Sequence, residues 1–487
     1  MSRKLKERHA MNIGRNCGIV IIVGLAVLFF AEIAVARTIH VSPDNGDFKT
    51  ILEAVEAAAP GDTIEVGSGV YKGNMLINAE DIRIIGKNDP VIQGEDEGTV
   101  VTLTGKRVEF KGFTVKGGGY NLCKDDSGVM FKDCTECLVE ECEFLDNLFG
   151  CYFYQCDKCV FRNNLIEGRE YEVQEDRGNG IHLWDAAYYL IEGNEIRQAR
   201  DGIYISFANY GEIRDNWIHH TRYGLHYMYS KENIFNENVL TDNVAGAAVM
   251  YSEHMEWNRN IFAHNRGFRA YGILWQDVRY SECRHNLVVD NTIGLYFDQA
   301  GYSEVSDNLV VWNDIAAIIL ENSELNTLFD NNFVNNLSNV QLRGGTQKGR
   351  NNKFYKDGRG NFWDDHRGYD LNGDGIGDHP HMLQNIFEYV LVYEPAYRLF
   401  LFSPVGKAIA TAEKVFPIIE VGSTGIDPYP LMRQVEIFEQ ERLFEKLGEI
   451  RDRRGGFGWS GRAIIITFSL LMMGGALVII ARNYKRI

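Results

Sequence analysis

His226, Met228 and Met250 are the residues of this chain whose types and spacing most suggest chemistry, with Met250 following Met228 by 22 positions. Imidazole and thioether donors together favour a soft cation such as Cu(I), bound transiently. His182, His254 and Met255 extend the set along the chain. The same residue types also pack against a covering segment or a partner protein, so copper binding and partner docking are both open for these six residues.

Cys134-x-x-Cys137 is followed by Cys156-x-x-Cys159, again at an interval of 22. Paired CxxC motifs suit zinc, and an oxidising compartment would favour disulfides; disulfide, metal site and free thiol are the three readings, in the order disulfide, metal, thiol. Asp370, Asn372, Asp374 and Asp378, with Gly375 at the turn, match the first nine positions of an EF-hand-type loop, but position twelve is His381 rather than Glu. A Ca²⁺ site and a purely structural turn therefore stand side by side. Asp185, Asp277 and Asp298 are scattered without a basic partner, so no catalytic residue is assigned.

What must position these residues is a repeat. Asn164, Asn194, Asn216, Asn238, Asn260, Asn286, Asn308 and Asn332 each precede an apolar pair or near-pair, mostly 22 residues apart. In step with them run Gly128, Gly150, Gly180, Gly202, Gly224, Gly246, Gly272 and Gly294, with Ala316 in the next place. A third column runs through Phe161, Ile191, Ile213, Phe235, Trp257, Cys283, Val305 and Phe329. Short period-2 stretches broken by Gly and Asn are strands and turns, and a fixed period of this length is a solenoid. The fold class is all-β, a right-handed parallel β-helix of about 22 residues per coil. A capping helix precedes it at 47–59, where Ile51, Val55 and Ala58 share a face. After each Gly the first and third residues face the core, which turns His182, His226, Met228 and Met250 outward. Coils of irregular length at Asn164–Gly180 and Asn260–Gly272 put their insertions at one corner.

A net charge of −17 speaks against nucleic acid as a partner. Residues 1–36 read as an export signal, either cleaved after Ala36 or kept as an uncleaved anchor: Arg3, Lys4, Lys6, Arg8 and Arg15 precede an apolar run and the triplet Ala34, Val35, Ala36. The β-helix with its cap fills 37–380, an extended partner-facing segment 381–434 and a linker helix 435–462. Residues 463–481 carry no charge over 19 positions and are expected to cross the membrane as a C-terminal anchor, with 482–487 as a cytoplasmic tail. The body is thus expected on the periplasmic side of the cytoplasmic membrane.

The segments DGIYISFANYGEIRDNWIHHTRYGLHYMYSKEN, NVAGAAVMYS, GNFWDDHRGYDLNGDGIGD and GIDPYPLM, spread between about residues 38 and 433, resemble the NosD family of periplasmic β-helix accessory proteins of nitrous-oxide reductase maturation. That resemblance implies a non-enzymatic role in assembling the reductase's copper-sulfur centre. It also implies an ABC transporter, made of an ATPase and a membrane subunit, and a copper-donating lipoprotein as partners. The region from Phe387 to Met432 would face the transporter. The double CxxC and the C-terminal span depart from the family's pattern. A carbohydrate-active β-helix enzyme and a non-catalytic surface solenoid are the alternatives.

Overall fold

The computed structural model describes residues 36–169, 173–344, 351–383 and 425–437, and the helical residues 442, 443, 445, 446 and 448. The expected export signal and membrane span lie outside the described residues, and no described helix is long and apolar enough to cross a membrane.

The chain winds as a parallel β-solenoid. Three long parallel sheets of 13, 13 and 12 strands run along it; the first starts at Thr38–Val41, the second at Val70–Lys72 and the third at Met75–Glu80. Each coil contributes one short strand to each sheet. A coil alone cannot bury its apolar side, whereas stacking gives every strand two backbone partners and a continuous interior.

That interior is a single apolar column from Ile39 to Leu383. Rings stack within it at coil spacing, as at Phe235–Trp257 (4.1 Å between centroids) and Trp275–Phe297 (4.5 Å). At the N-terminal end, the helix Ile51–Ala57 packs on the first strands of the first and third sheets. Thr50 and Glu53 form a capping box there, and Ile51 and Ala54 are buried beneath it.

The asparagine column is a buried hydrogen-bonded ladder. The backbone N–H of each Asn donates to the side-chain oxygen of the next coil's Asn, through Asn194, Asn216, Asn238, Asn260, Asn286 and Asn308 at 2.9–3.1 Å. Each Nδ2 donates to that same oxygen and to a carbonyl of the preceding coil, for example Asn238 to Asn260 Oδ1 (3.0 Å) and Ile213 O (2.8 Å). A second ladder, which the repeat analysis does not isolate, climbs another corner through Asn243, Asn265, Asn291 and Asn313.

The columns depart from the expected register in one place. Asn308 donates to Asn331, not Asn332. Val305 pairs with Leu328 rather than Phe329, and Gly294 lies against Ala317 rather than Ala316. All three differences have one cause, an extra residue at the corner Trp312–Ile315. Val289 pairs with Val311 at an interval of 22, whereas Ile293 pairs with Ala316 at 23. Asn332 therefore points outward, where its amide exchanges two 2.8 Å hydrogen bonds with the backbone of Val435.

The glycine column marks the closest approach between coils. A Cβ on Gly224 would stand 2.5 Å from Gly246 O and 2.7 Å from Leu240 Cδ2. Both long coils insert their extra residues between the second and third sheets, as expected.

The late segments close the C-terminal end. Phe362 and Trp363 add to the second sheet, and Trp363 stacks on Phe333 and on His381. Asp427 accepts from Asn361 N (2.7 Å) and Trp363 Nε1 (2.8 Å), so its carboxylate is the last acceptor of the asparagine ladder. Residues 381–383 and 425–433, expected to extend toward a partner, thus pack on the final coils. Beyond them, Ile437 and Leu443 cover Val239, Ile261, Leu287 and Leu309 on the outer face of the second sheet. Lys446 there binds Asp215.

Removing a ladder carboxamide strands the amides around it, and each buried unsatisfied group costs about 1–3 kcal/mol. Asn238→Ala is expected to lower the urea midpoint by the equivalent of at least about 2 kcal/mol with an unchanged slope, against less than about 0.5 kcal/mol for the exposed Glu256→Ala. Equal midpoints for the two variants would contradict this account of the ladder.

Candidate functional site

On the third sheet, the inward residues Ile181, Leu183, Ile203, Ile205, Leu225 and Tyr227 have no exposed surface. Two outward columns stand between them. One runs in register through Tyr152, His182, Tyr204, His226 and Ala248, the other through Trp184, Ser206, Met228, Met250 and Gln276. In the first, imidazoles and phenols alternate: Tyr152 stacks on His182 at 4.4 Å, and Tyr204 meets His182 at 4.6 Å and His226 at 4.8 Å.

His226 is anchored from behind. Its Nδ1 lies 2.8 Å from Asp201 Oδ2, and Arg222 grips the same carboxylate with Nε (2.8 Å) and Nη2 (2.7 Å). Asp201 is fully buried. Burial pushes its carboxyl up, but the His226 and Arg222 hydrogen bonds outweigh this and hold it below the usual range. A carboxylate on Nδ1 fixes the proton there, leaving Nε2 with its lone pair, the second-shell pattern that orients a metal-binding imidazole. Met228 and Met250 are direct cross-strand partners on this face, and the Tyr204 hydroxyl donates to Met228 Sδ (3.5 Å).

His182 is two coils away, with Tyr204 between it and His226, so the two imidazoles do not share a ligand point. Its Nδ1 contacts Asn179 Nδ2 (3.2 Å), while its shielded Nε2 has no hydrogen-bond partner among the described residues. The remaining two candidates separate from the face. His254 occupies a corner with positive φ and stacks on Tyr280. Met255 is fully buried in the core. The turn after Ser252 resets the in–out alternation, and Met255 lands in an inward column with Asn233 and Ser281, unable to reach an outward ligand.

Cys134, Cys137, Cys156 and Cys159 are free and buried in the core, and the expected disulfides are not formed. The spacing does stack them: Thr135 bridges Asp157 and Leu138 pairs with Val160, so Cys134 lies over Cys156 and Cys137 over Cys159. Among the described residues, no three His, Cys, Asp or Glu side chains already form a metal-holding group.

The loop 370–378 is a turn satisfied by its own carboxylates. Asp370 accepts from Gly373 N (2.6 Å) and Gly375 N (2.8 Å), Asp374 from Ile376 N (2.8 Å), and Asp378 from Leu371 N (2.6 Å). Each of these carboxylates thus has a backbone donor within the loop.

Asp185 and Asp277 line a groove of about 610 Å³ with Phe207, Tyr229, Tyr251 and Arg279. They sit four coils apart, about 19 Å at a spacing of about 4.8 Å per coil. That exceeds the roughly 5–9.5 Å of a glycosidase carboxylate pair. Asp298 belongs to a different column, in register with Gln276 and Glu321.

Burial, with Arg200 and His226 adding and Asp201 opposing, pushes the His182 imidazole down to about 3. The unfolded chain takes up this proton near pH 6.5 while the folded chain refuses it, so stability is complete above that pH and falls below it. Between pH 7 and 5 the loss is expected to be about 1–2 kcal/mol, and His182→Phe should flatten the urea-midpoint profile over that range. An identical slope in the variant would rule out His182 as its source.

A profile of the family described as "Periplasmic copper-binding protein (NosD)" matches residues 55–176 and 165–368. The "Probable ABC transporter binding protein NosD" of Pseudomonas aeruginosa is 34% identical over 389 residues, covering 76% of this chain and 87% of the relative. The protein of that name from Stutzerimonas stutzeri is 34% identical over 387 residues, with coverages of 75% and 86%. Among solved structures, the A-module of the Azotobacter vinelandii mannuronan C-5 epimerase AlgE6 superposes with a TM-score of 0.51 at 12% identity, covering 62% of this chain and 91% of the module. A GH87 alpha-1,3-glucanase catalytic domain gives 0.52 at 11% identity, covering 68% and 70%. At that identity the two enzymes share the parallel β-helix fold and nothing further. With its profile match and its relatives, this chain belongs to the NosD family of periplasmic copper-binding proteins.

Proposed function

We propose that this chain is a non-catalytic extracytoplasmic accessory protein that receives Cu(I) as cargo on the outer face of its third sheet. It would work with an ABC transporter, both ATPase and membrane subunit, in assembling the copper-sulfur centre of nitrous-oxide reductase, with a copper-donating lipoprotein upstream. The carrying observation is the Asp201-anchored His226 on the same strand as Met228, whose cross-strand partner is Met250.

The donor set fits the cargo. Thioethers and an imidazole prefer Cu(I) over harder ions, and neutral thioethers bind it loosely enough to pass on. Asp201 would act through His226, keeping the proton on Nδ1 and the Nε2 lone pair outward. Tyr204 would hold Met228 in place through its hydroxyl. Support for the transporter comes from the relatives' names, and support for copper from the family description. The uncharged segment 463–481 supports tethering to the cytoplasmic membrane.

Competition with a Cu(I) chelator of known affinity tests this reading. Met228→Ala with Met250→Ala is expected to weaken Cu(I) binding at least tenfold, and Asp201→Asn by roughly 10–100-fold through the loosened imidazole. Undiminished affinity in a triple variant that also lacks His226 would remove the site. In cells, deletion should leave the reductase exported but without its full copper-sulfur centre; a normally loaded reductase would refute the maturation role.

A further inference from the structure

Cys134, Cys137, Cys156 and Cys159 are not explained by the proposed copper face, which lies outside the sheet, nor by the fold. In later coils the positions in line with Cys134 and Cys156 are Ala186, Ala208, Ser230 and Ser252. Those in line with Cys137 and Cys159 are Tyr189, Gly211, Asn233, Met255 and Ser281. Where Ser or Asn stands there, its oxygen accepts a backbone N–H from the coil before: Ser230 from Ala208 (3.1 Å), Asn233 from Gly211 (2.6 Å) and Ser281 from Met255 (3.0 Å). The corner therefore accepts residues as different as Gly211, Ser230, Tyr189 and Met255, and two successive coils carry thiols in both columns.

The sulfurs converge. Cys134 Sγ and Cys159 Sγ are 3.7 Å apart, diagonally across the two coils. Cys156 lies one coil above Cys134 and Cys159 one coil above Cys137, so the four residues share one corner of two adjacent coils. A tetrahedral ion with bonds of about 2.3 Å to sulfur has sulfur–sulfur edges of roughly 3.8 Å, close to the diagonal already present. The thiols donate to neighbouring carbonyls, Cys137 to Thr135 O (3.6 Å) and Cys159 to Asp157 O (3.5 Å).

We propose that Cys134, Cys137, Cys156 and Cys159 form an internal tetrathiolate site for a thiophilic closed-shell cation, Zn²⁺ or Cu⁺, clamping two adjacent coils together. Loading replaces the Cys134–Cys159 contact, releases the thiol protons and draws the sulfurs in by side-chain rotation. The site is structural in kind, having four protein ligands and no open position.

The test uses the full chain, purified from membranes under reducing conditions and incubated separately with Zn²⁺ and Cu⁺. It is compared with a variant in which all four cysteines become serine, a residue the same corner already carries in later coils. Metal analysis should find one more tightly held ion per wild-type chain than per variant, and which incubation supplies it distinguishes the two cations. In the wild type alone, four thiols should resist alkylation with the ion and react once it is chelated under denaturant, which keeps the proposal testable should the variant not fold. Equal metal content, no ion-dependent protection, or an intact mass lacking two hydrogens per disulfide in the freshly isolated protein would each overturn it.

Discussion

The rest of this structure depends on one interaction: a buried carboxamide that accepts the backbone N–H of the coil before it. At a solenoid corner the chain turns too sharply for strand pairing, so amides there would be orphaned in an apolar interior at a cost comparable to that of a lost hydrogen bond. Asparagine is the residue that both accepts from that amide and donates onward. Because each ladder oxygen takes two hydrogen bonds, from N and Nδ2 of one neighbour, the ladder fixes distance and rotation between coils together. Strand register then follows, and with it the identity of every outward neighbour.

The candidate copper face is a product of that register. Met228 and Met250 are adjacent because Asn216 and Asn238 are adjacent in the ladder. Asp201 sits behind His226 because the glycine column lets the two strands approach without a Cβ between Gly202 and Gly224. Among the described residues this carboxylate is held by His226 and Arg222, which binds the chemistry of His226 to the integrity of two coils rather than one.

Much of this was legible in the sequence. The Asn and Gly periods gave the fold, the coil length and the outward parity of His182, His226, Met228 and Met250. What was not legible has specific causes. The two consecutive asparagines at 331 and 332 hid the single-residue insertion near Ile315, because either fits the motif and only the ladder contact selects one. Met255, a candidate by residue type alone, is buried in the core because the turn after Ser252 brings it inward. The apolar first members of the pairs from Trp217 to Leu309 were a missed signal: they face outward, and their hydrophobicity marks the strip that Ile437 and Leu443 cover. The likeness of GNFW and GIDPYPLM to a known family pointed at function, yet these motifs meet each other through Asp427 as the lid of the solenoid. Cysteine spacing predicted the stacking of the four thiols but not the diagonal contact, which depends on side-chain rotation.

The column Tyr152, His182, Tyr204, His226 has a metrical consequence. Its members are separated by the coil pitch and by nothing else, so positions along the outer face are graduated like marks on a ruler. A partner engaging both the His182 and the His226 levels measures two graduations, whatever the lengths of the loops between them. Loops at the corners are thereby free to lengthen, as the insertion after Asn164 has done, without altering the distances that a docking surface reads.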